Sequence, residues 1–272
     1  MFTVERIDSL DRSSLQPYRT MRRQLEHREQ GILVAEGEKV VRRLLESRLT
    51  VLSLLVPEKW VRELEPLLRA RPENITVHVA EKELLETLTG FSMYQGLLAV
   101  GKVPAQGALT EILQNSSRPW LLAAVDSLSN AENLGALVRN CAAFNVQALL
   151  IGETCCSPFL RRAVRSSMGT IFELPVIETM SLAATLREAQ GCGIRVIAAH
   201  PHIEKRFVSE ADFCGDCCLV FGSEGYGIAS NILELCDDAA AIPMPATVDS
   251  LNVASAAAVF LYEVNRQRGQ GK

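Results

Sequence analysis

Three short stretches carry polar side chains at spacings that suit chemistry. Residues 126–139, DSLSNAENLGALVR, offer Asn133 as a helix cap, Gly135 as a point of close approach and Arg139 six positions beyond Asn133. Residues 221–228, FGSEGYGI, hold three glycines in six positions with Glu224 between them. Residues 242–252, IPMPATVDSLN, end on Asp249, Ser250 and Asn252 just before an apolar helical pattern. An arginine can hold a phosphate or offset a developing negative charge, and a carboxylate can orient a donor. Each stretch alone also reads as an ordinary strand-to-helix turn, with Asp249 or Ser250 capping the last helix. The glycines run G-x-x-G-x-G rather than G-x-G-x-x-G and lack a downstream ribose-binding acid, which disfavours a nucleotide-dependent oxidoreductase. The three gain weight together because each follows an expected strand, and loops at one edge of a sheet converge on one crevice.

The elements that must position them follow from patterning. In the first half, strands are expected at residues 32–35, 51–56, 75–79 and 95–100, alternating with helices in 16–30, 40–45, 58–69 and 81–88. That makes a small α/β layer domain. Residues 104–118 are rich in breakers and read as a linker, with a short helix at 110–114. After it, strands are expected at 120–125, 148–151, 171–177, 194–199, 217–221 and 238–243. Helices are expected at 133–144, 158–166, 182–189, 228–235 and from 251 onward. Such alternation predicts a mostly parallel sheet with helices on both faces. The last helix is apolar on two faces: Ala254, Ala258 and Leu261 on one, and Val253, Ala257, Phe260 and Val264 on the other. It must bury both, one in its own core and one in a second subunit.

Composition sets the class. Of the 272 residues 48% are hydrophobic, as in a globular protein long enough for a real core. No apolar run approaches a membrane span, and the opening residues MFTVERIDSLDRSS carry acids and no apolar leader, so a cytoplasmic setting without a membrane partner is expected. There, eight cysteines read as free thiols. Cys214, Cys217 and Cys218 form C-x-x-C-C with no second half, so no metal is expected. The net charge of -4 argues against wrapping nucleic acid by bulk charge but leaves local patches. Basic clusters stand at Arg19, Arg22 and Arg23, at Arg42 and Arg43, and at Arg161, Arg162 and Arg165.

N-x-G-x-x-x-R at 133–139, G-S-E-G-x-G at 222–227 and S-L-N at 250–252 resemble the three signature motifs of the SpoU, or TrmH-type, RNA ribose 2'-O-methyltransferases of the SPOUT superfamily. The stretch SPFLRRAVRSSMG at 157–169 is similar to that family's intervening segment. The likeness runs from about residue 120 to 268. Less closely, the first half, with Ala35-Glu36-Gly37 and Tyr94-Gln95-Gly96, is similar to the substrate-binding domain that often precedes it. Two departures stand out: Asn145 where many relatives have glycine, and Asp126-Ser127 in place of Asp-Pro.

The resemblance implies an α/β chain with a ribosomal-protein-like RNA-binding domain at 1–103, a linker at 104–118 and a methyltransferase domain at 119–272. The latter would carry a deep trefoil knot, which general topology rules argue against. It further implies a homodimer through the C-terminal domain and S-adenosylmethionine held by Gly222, Ile242 and Leu251 with Met244 nearby. Arg139 would be the central catalytic residue, clamping the target phosphate and offsetting the alkoxide, with Asn133, Glu224, Ser250 and Asn252 around it. The implied substrate is a ribose 2'-hydroxyl in structured RNA, ribosomal RNA of the 23S type, gripped by Arg19, Arg22, Arg23, Arg42 and Arg43. A transfer RNA ribose methyltransferase and a non-catalytic RNA-binding protein of the same fold are the alternatives.

Overall fold

Apolar runs of four to six residues become strands where both faces are covered, and amphipathic stretches become the helices that cover them. The computed structural model describes residues 1–89, 96–200, 206–223, 225–245 and 247–269. The chain divides into two compact units, Met1–Ala105 with Phe159–Glu173, and Gln106–Pro158 with Leu174–Lys272.

The first unit contains β1 (Phe2–Arg6), α1 (Gln16–Arg19), α2 (Gln24–Glu29), β2 (Ile32–Glu36), α3 (Glu38–Glu46), β3 (Val51–Val56), α4 (Glu58–Ala70), β4 (Ile75–Val79), α5 (Lys82–Thr89) and β5 (Leu98–Lys102). Its sheet has the order β1-β4-β3-β5-β2. The first three strands run parallel, and β5 is antiparallel to both its neighbours. Every residue of β2 is buried, which is why it reads as an unbroken apolar run. Strand β1 was not expected. It is a mostly exposed edge strand with only Phe2 and Val4 apolar, too short an alternation to stand out. Tyr94 and Gln95 lie outside the described residues.

The remaining elements are α6 (Leu109–Gln114), β6 (Leu121–Val125), α7 (Ala131–Ala143), β7 (Ala148–Ile151), α8 (Arg161–Ser166), β8 (Val176–Glu178), α9 (Leu182–Gly191), β9 (Arg195–Ala199), β10 (Cys217–Phe221), α10 (Ser230–Leu233), β11 (Asp238–Ala240) and α11 (Val253–Gln267). Helix α8, expected with the second half, packs instead in the first unit, where Glu36 at the end of β2 accepts from both Arg161 and Arg165. All other elements of this group form the second unit. Its sheet has the order β11-β9-β10-β6-β7-β8, and every pairing is parallel. One face of that sheet buries Leu122, Leu150, Val196 and Val220 against Leu186 of α9 and Ile232 of α10.

The structure departs from expectation where breakers interrupt apolar runs. Residues 171–177 are a 3-10 turn, Thr170–Phe172, followed by β8, because Pro175 cannot donate to a ladder. Helix α8 begins after Pro158, and α10 spans four residues rather than eight. Asn145 takes φ +56°, the left-handed conformation that asparagine tolerates, so it fills a glycine role without strain. Both apolar faces of α11 are mostly buried within its own unit, and the exposed stripe is Ser255, Val259, Tyr262 and Arg266. Side-chain amides stitch α11 to α7: Asn140 Nδ2 donates to Ala254 O at 2.6 Å, and Asn265 Nδ2 to Phe144 O at 3.1 Å.

Candidate active site

In the second unit the strand order runs outward in two directions from the β6–β10 pair. Open parallel sheets leave a crevice beyond the carboxyl ends of the strands at such a switch point. Asp126, the first residue after β6, ties that edge together. It is buried, its N–H donates to Phe221 O at 2.9 Å, and its Oδ2 accepts from Ala229 N at 2.7 Å. Its place at a strand end was visible in the sequence, but its bond to the turn after β10 was not.

Beyond β10 the chain bends at Gly222. A Cβ there would stand 2.1 Å from the carbonyl carbon of Gly227, so only glycine fits. Ser223 and Gly227 exchange backbone hydrogen bonds at 3.0 Å each, and Tyr226 N donates to Ser223 Oγ at 3.2 Å. The loop is therefore pinned at both ends. Glu224 belongs to it and lies outside the described residues.

A third wall comes from the segment between β11 and α11. Asn252 caps α11, its Oδ1 accepting from Ala254 N at 2.9 Å, so the cap is neither Asp249 nor Ser250. The capping of α7 also differs from expectation. Asn130 is the cap, accepting from Glu132 N at 2.9 Å and Asn133 N at 3.1 Å, and Asn133 sits in the first turn. The Asn133 side chain is therefore not the cap of its helix.

The loop after β10 and the segment between β11 and α11, with the carboxyl ends of β9, β10 and β11, line a cavity of about 310 Å³. Gly222, Ile242, Met244 and Leu251, the four expected cofactor residues, all line it, and so does Ser250. Asp249, Phe260 and His200 complete parts of the wall. Asn133 and Asn252 meet directly, with Asn252 Nδ2 donating to Asn133 Oδ1 at 3.0 Å. Arg139 is not in the wall. It is exposed and has no hydrogen bond or ion pair among the described residues. Six residues along α7 place it about 9 Å further up the axis and about 120° around it from Asn133.

Four of the arginines expected to grip RNA also make contacts within their own unit. Arg19 pairs with Asp11 at 3.3 Å, and Arg23 with Glu26 at 2.9 Å. Arg42 pairs with Glu38 at 3.0 Å, and Arg43 donates to Met168 O at 2.8 Å. These arginines brace their own unit. Among the described residues no three His, Cys, Asp or Glu side chains stand together as metal ligands. Burial pushes the Cys217 thiol up to about 11 and Cys218 higher than its ordinary value, which keeps both protonated and inert.

Comparison with known proteins places the chain in a family. Residues 121–262 match the family model described as the SpoU rRNA Methylase family. An uncharacterized tRNA/rRNA methyltransferase of Mycobacterium tuberculosis is 32% identical over 240 residues, 87% of this chain and 81% of that protein. A 23S rRNA (guanosine-2'-O-)-methyltransferase of Ralstonia nicotianae is 32% identical over 200 residues, 73% of this chain and 80% of the relative. The SpoU methyltransferase AviRb of Streptomyces viridochromogenes, solved in complex with the cofactor AdoMet, is 26% identical and superposes with a TM-score of 0.79 over 94% of this chain and 100% of its own. The family model covers more than half of the chain and the Mycobacterium relative matches most of it, so the chain belongs to the SpoU rRNA methylase family.

Proposed function

We propose that this protein transfers a methyl group from S-adenosylmethionine to a ribose 2'-hydroxyl in structured RNA, with ribosomal RNA as its substrate. The observation that carries the reading is the 3.0 Å bond between Asn252 and Asn133, 119 residues apart, beside the cavity. The relatives' names support RNA, and the Ralstonia relative's name supports 23S ribosomal RNA and the 2'-oxygen.

The donor set suits the methyl donor. Ile242, Leu251 and Phe260 give an apolar slot for an adenine, and backbone at the strand ends gives hydrogen bonds. When bound, S-adenosylmethionine supplies a methyl on a positively charged sulfur. Asn133 and Asn252 hold each other in register, and with Ser250 they fix the ribose at the cavity mouth. Arg139 stays charged at any working pH, so it is no base. It clamps the phosphate beside the reacting sugar, a task that suits its exposure outside the wall. Glu224 orients the hydroxyl or the guanidinium.

In the same reading residues 1–103 grip the RNA and 119–272 do the chemistry. The exposed Val259 and Tyr262 of α11 support pairing with a second copy. The free cysteines support a reducing, cytoplasmic compartment. The path from β11 at the sheet edge back to α11 against α7 supports the threaded, knotted C-terminus.

The test is to map 2'-O-methyl positions in total RNA from a strain lacking the gene, with calorimetry against S-adenosylmethionine and NAD alongside. A mark lost from ribosomal RNA is the expected result. A mark lost from transfer RNA would move the substrate, and unchanged RNA would favour a non-catalytic binder.

A further inference from the structure

Phe221 and Phe260, both 2% exposed, pack edge-on at 6.0 Å behind the cavity, but Tyr226 at its mouth is 96% exposed. Its backbone is bonded on both sides: Tyr226 N donates to Ser223 Oγ at 3.2 Å, and Ser223 and Gly227 exchange backbone hydrogen bonds at 3.0 Å each. The ring therefore stands at the edge of a cavity that Ser250 and Leu251 also line.

The reaction constrains what arrives there. A 2'-hydroxyl is one carbon from the sugar–base bond, so a ribose seated at the mouth brings its base to the lip. Bases in unpaired RNA are recognised by stacking on aromatic rings, and every base offers a π-face. We propose that Tyr226 is a substrate-positioning residue that stacks on the base of the nucleotide being methylated, or of its immediate neighbour, in single-stranded RNA. This rests on the RNA methyl-transfer reading above. It adds that the glycine-rich loop serves two ligands: Gly222 faces the donor, and Tyr226 faces the acceptor. The stack needs the ring and not the phenol oxygen.

The experiment uses the full-length protein, tritiated S-adenosylmethionine and ribosomal RNA extracted from a strain lacking the gene. Tyr226→Ala should raise KM for RNA about tenfold, the size expected for one lost stack. Tyr226→Phe and Tyr226→Trp should stay within about twofold of the unsubstituted protein, because both keep a ring. S-adenosylmethionine affinity by calorimetry and molecular mass in solution should be the same in all four proteins. An unchanged KM in Tyr226→Ala overturns the inference while leaving the methyltransferase reading intact. So does a loss of donor affinity, which would put the ring in the cofactor pocket, or a fall in mass, which would put it between subunits. No methyl incorporation by the unsubstituted protein overturns the underlying reading and this inference with it.

Discussion

Asn252 has two jobs, and they can be separated. Its Oδ1 caps α11, and its Nδ2 holds Asn133. Serine caps as well as asparagine but has no amide to reach across. Asn252→Ser is therefore expected to keep unfolding stability within about 0.5 kcal/mol while lowering turnover about tenfold or more. Asn252→Ala should lose about 1 kcal/mol in urea titration as well. Equal loss of turnover and stability in both variants would reduce Asn252 to a cap. Arg139 makes the opposite prediction. It is exposed and makes no hydrogen bond or ion pair among the described residues, so Arg139→Ala should leave stability and donor affinity unchanged. Turnover on RNA should fall on the order of a hundredfold, as when a positioned charge is removed. A parallel fall in donor affinity, measured by calorimetry, would show that the guanidinium serves the cofactor instead.

At the scale of elements, the loop after β10 carries the sharpest constraint. Gly222→Ala forces a Cβ into the backbone of Gly227 and Ile228, where nothing can yield cheaply. The expected result is a loss of about 1–3 kcal/mol in stability and at least about a tenfold drop in donor affinity. Gly225→Ala, three residues on, meets nothing within 4 Å and should be tolerated in both measurements. The same loop explains what could be read beforehand. Three glycines in FGSEGYGI announced an unusual backbone path, and strands such as Val51–Val56 and Cys217–Phe221 matched their apolar runs residue for residue. The caps were misplaced because Asn130, Asn133, Asp249, Ser250 and Asn252 are all competent cap types. Which one caps depends on where the helix is stopped by packing, a tertiary fact. The bond from Asn252 to Asn133 was invisible for the same reason: residue types can be read along a chain, but a partner 119 positions away cannot. Strand β1 was missed because an exposed edge strand needs backbone partners more than it needs apolar side chains.

Across the whole molecule, buried titratable groups set the pH range in which the fold holds. Burial, the largest cause, holds His27 and His78 below the ordinary 6.5, so the folded chain resists the protons that the unfolded chain accepts. His78 is 2% exposed, and among the described residues its Nδ1 has no hydrogen-bond partner, the Glu5 carboxylate standing 3.5 Å away and only partly offsetting burial. Glu73 and Glu263 are held below 4.5 by Arg71 and Arg266. Both kinds of group act in one direction: their stabilisation is complete above about 6.5 and shrinks as the pH falls toward the depressed folded values. The thiols act at the other end. Burial pushes Cys156, Cys217 and Cys236 up to about 11 from 9.0, so above about 9 the unfolded chain releases protons that the folded one retains, and stability falls again. The urea midpoint should therefore peak between about pH 7 and 8.5 and decline on both sides. His78→Leu, which keeps an apolar side chain in the same site, should flatten the limb between about pH 6.5 and 5 while leaving the alkaline limb as it was. A wild-type midpoint that holds level from pH 7 down to 5 would mean that these histidines gain a proton without strain, and that the burial argument does not govern them.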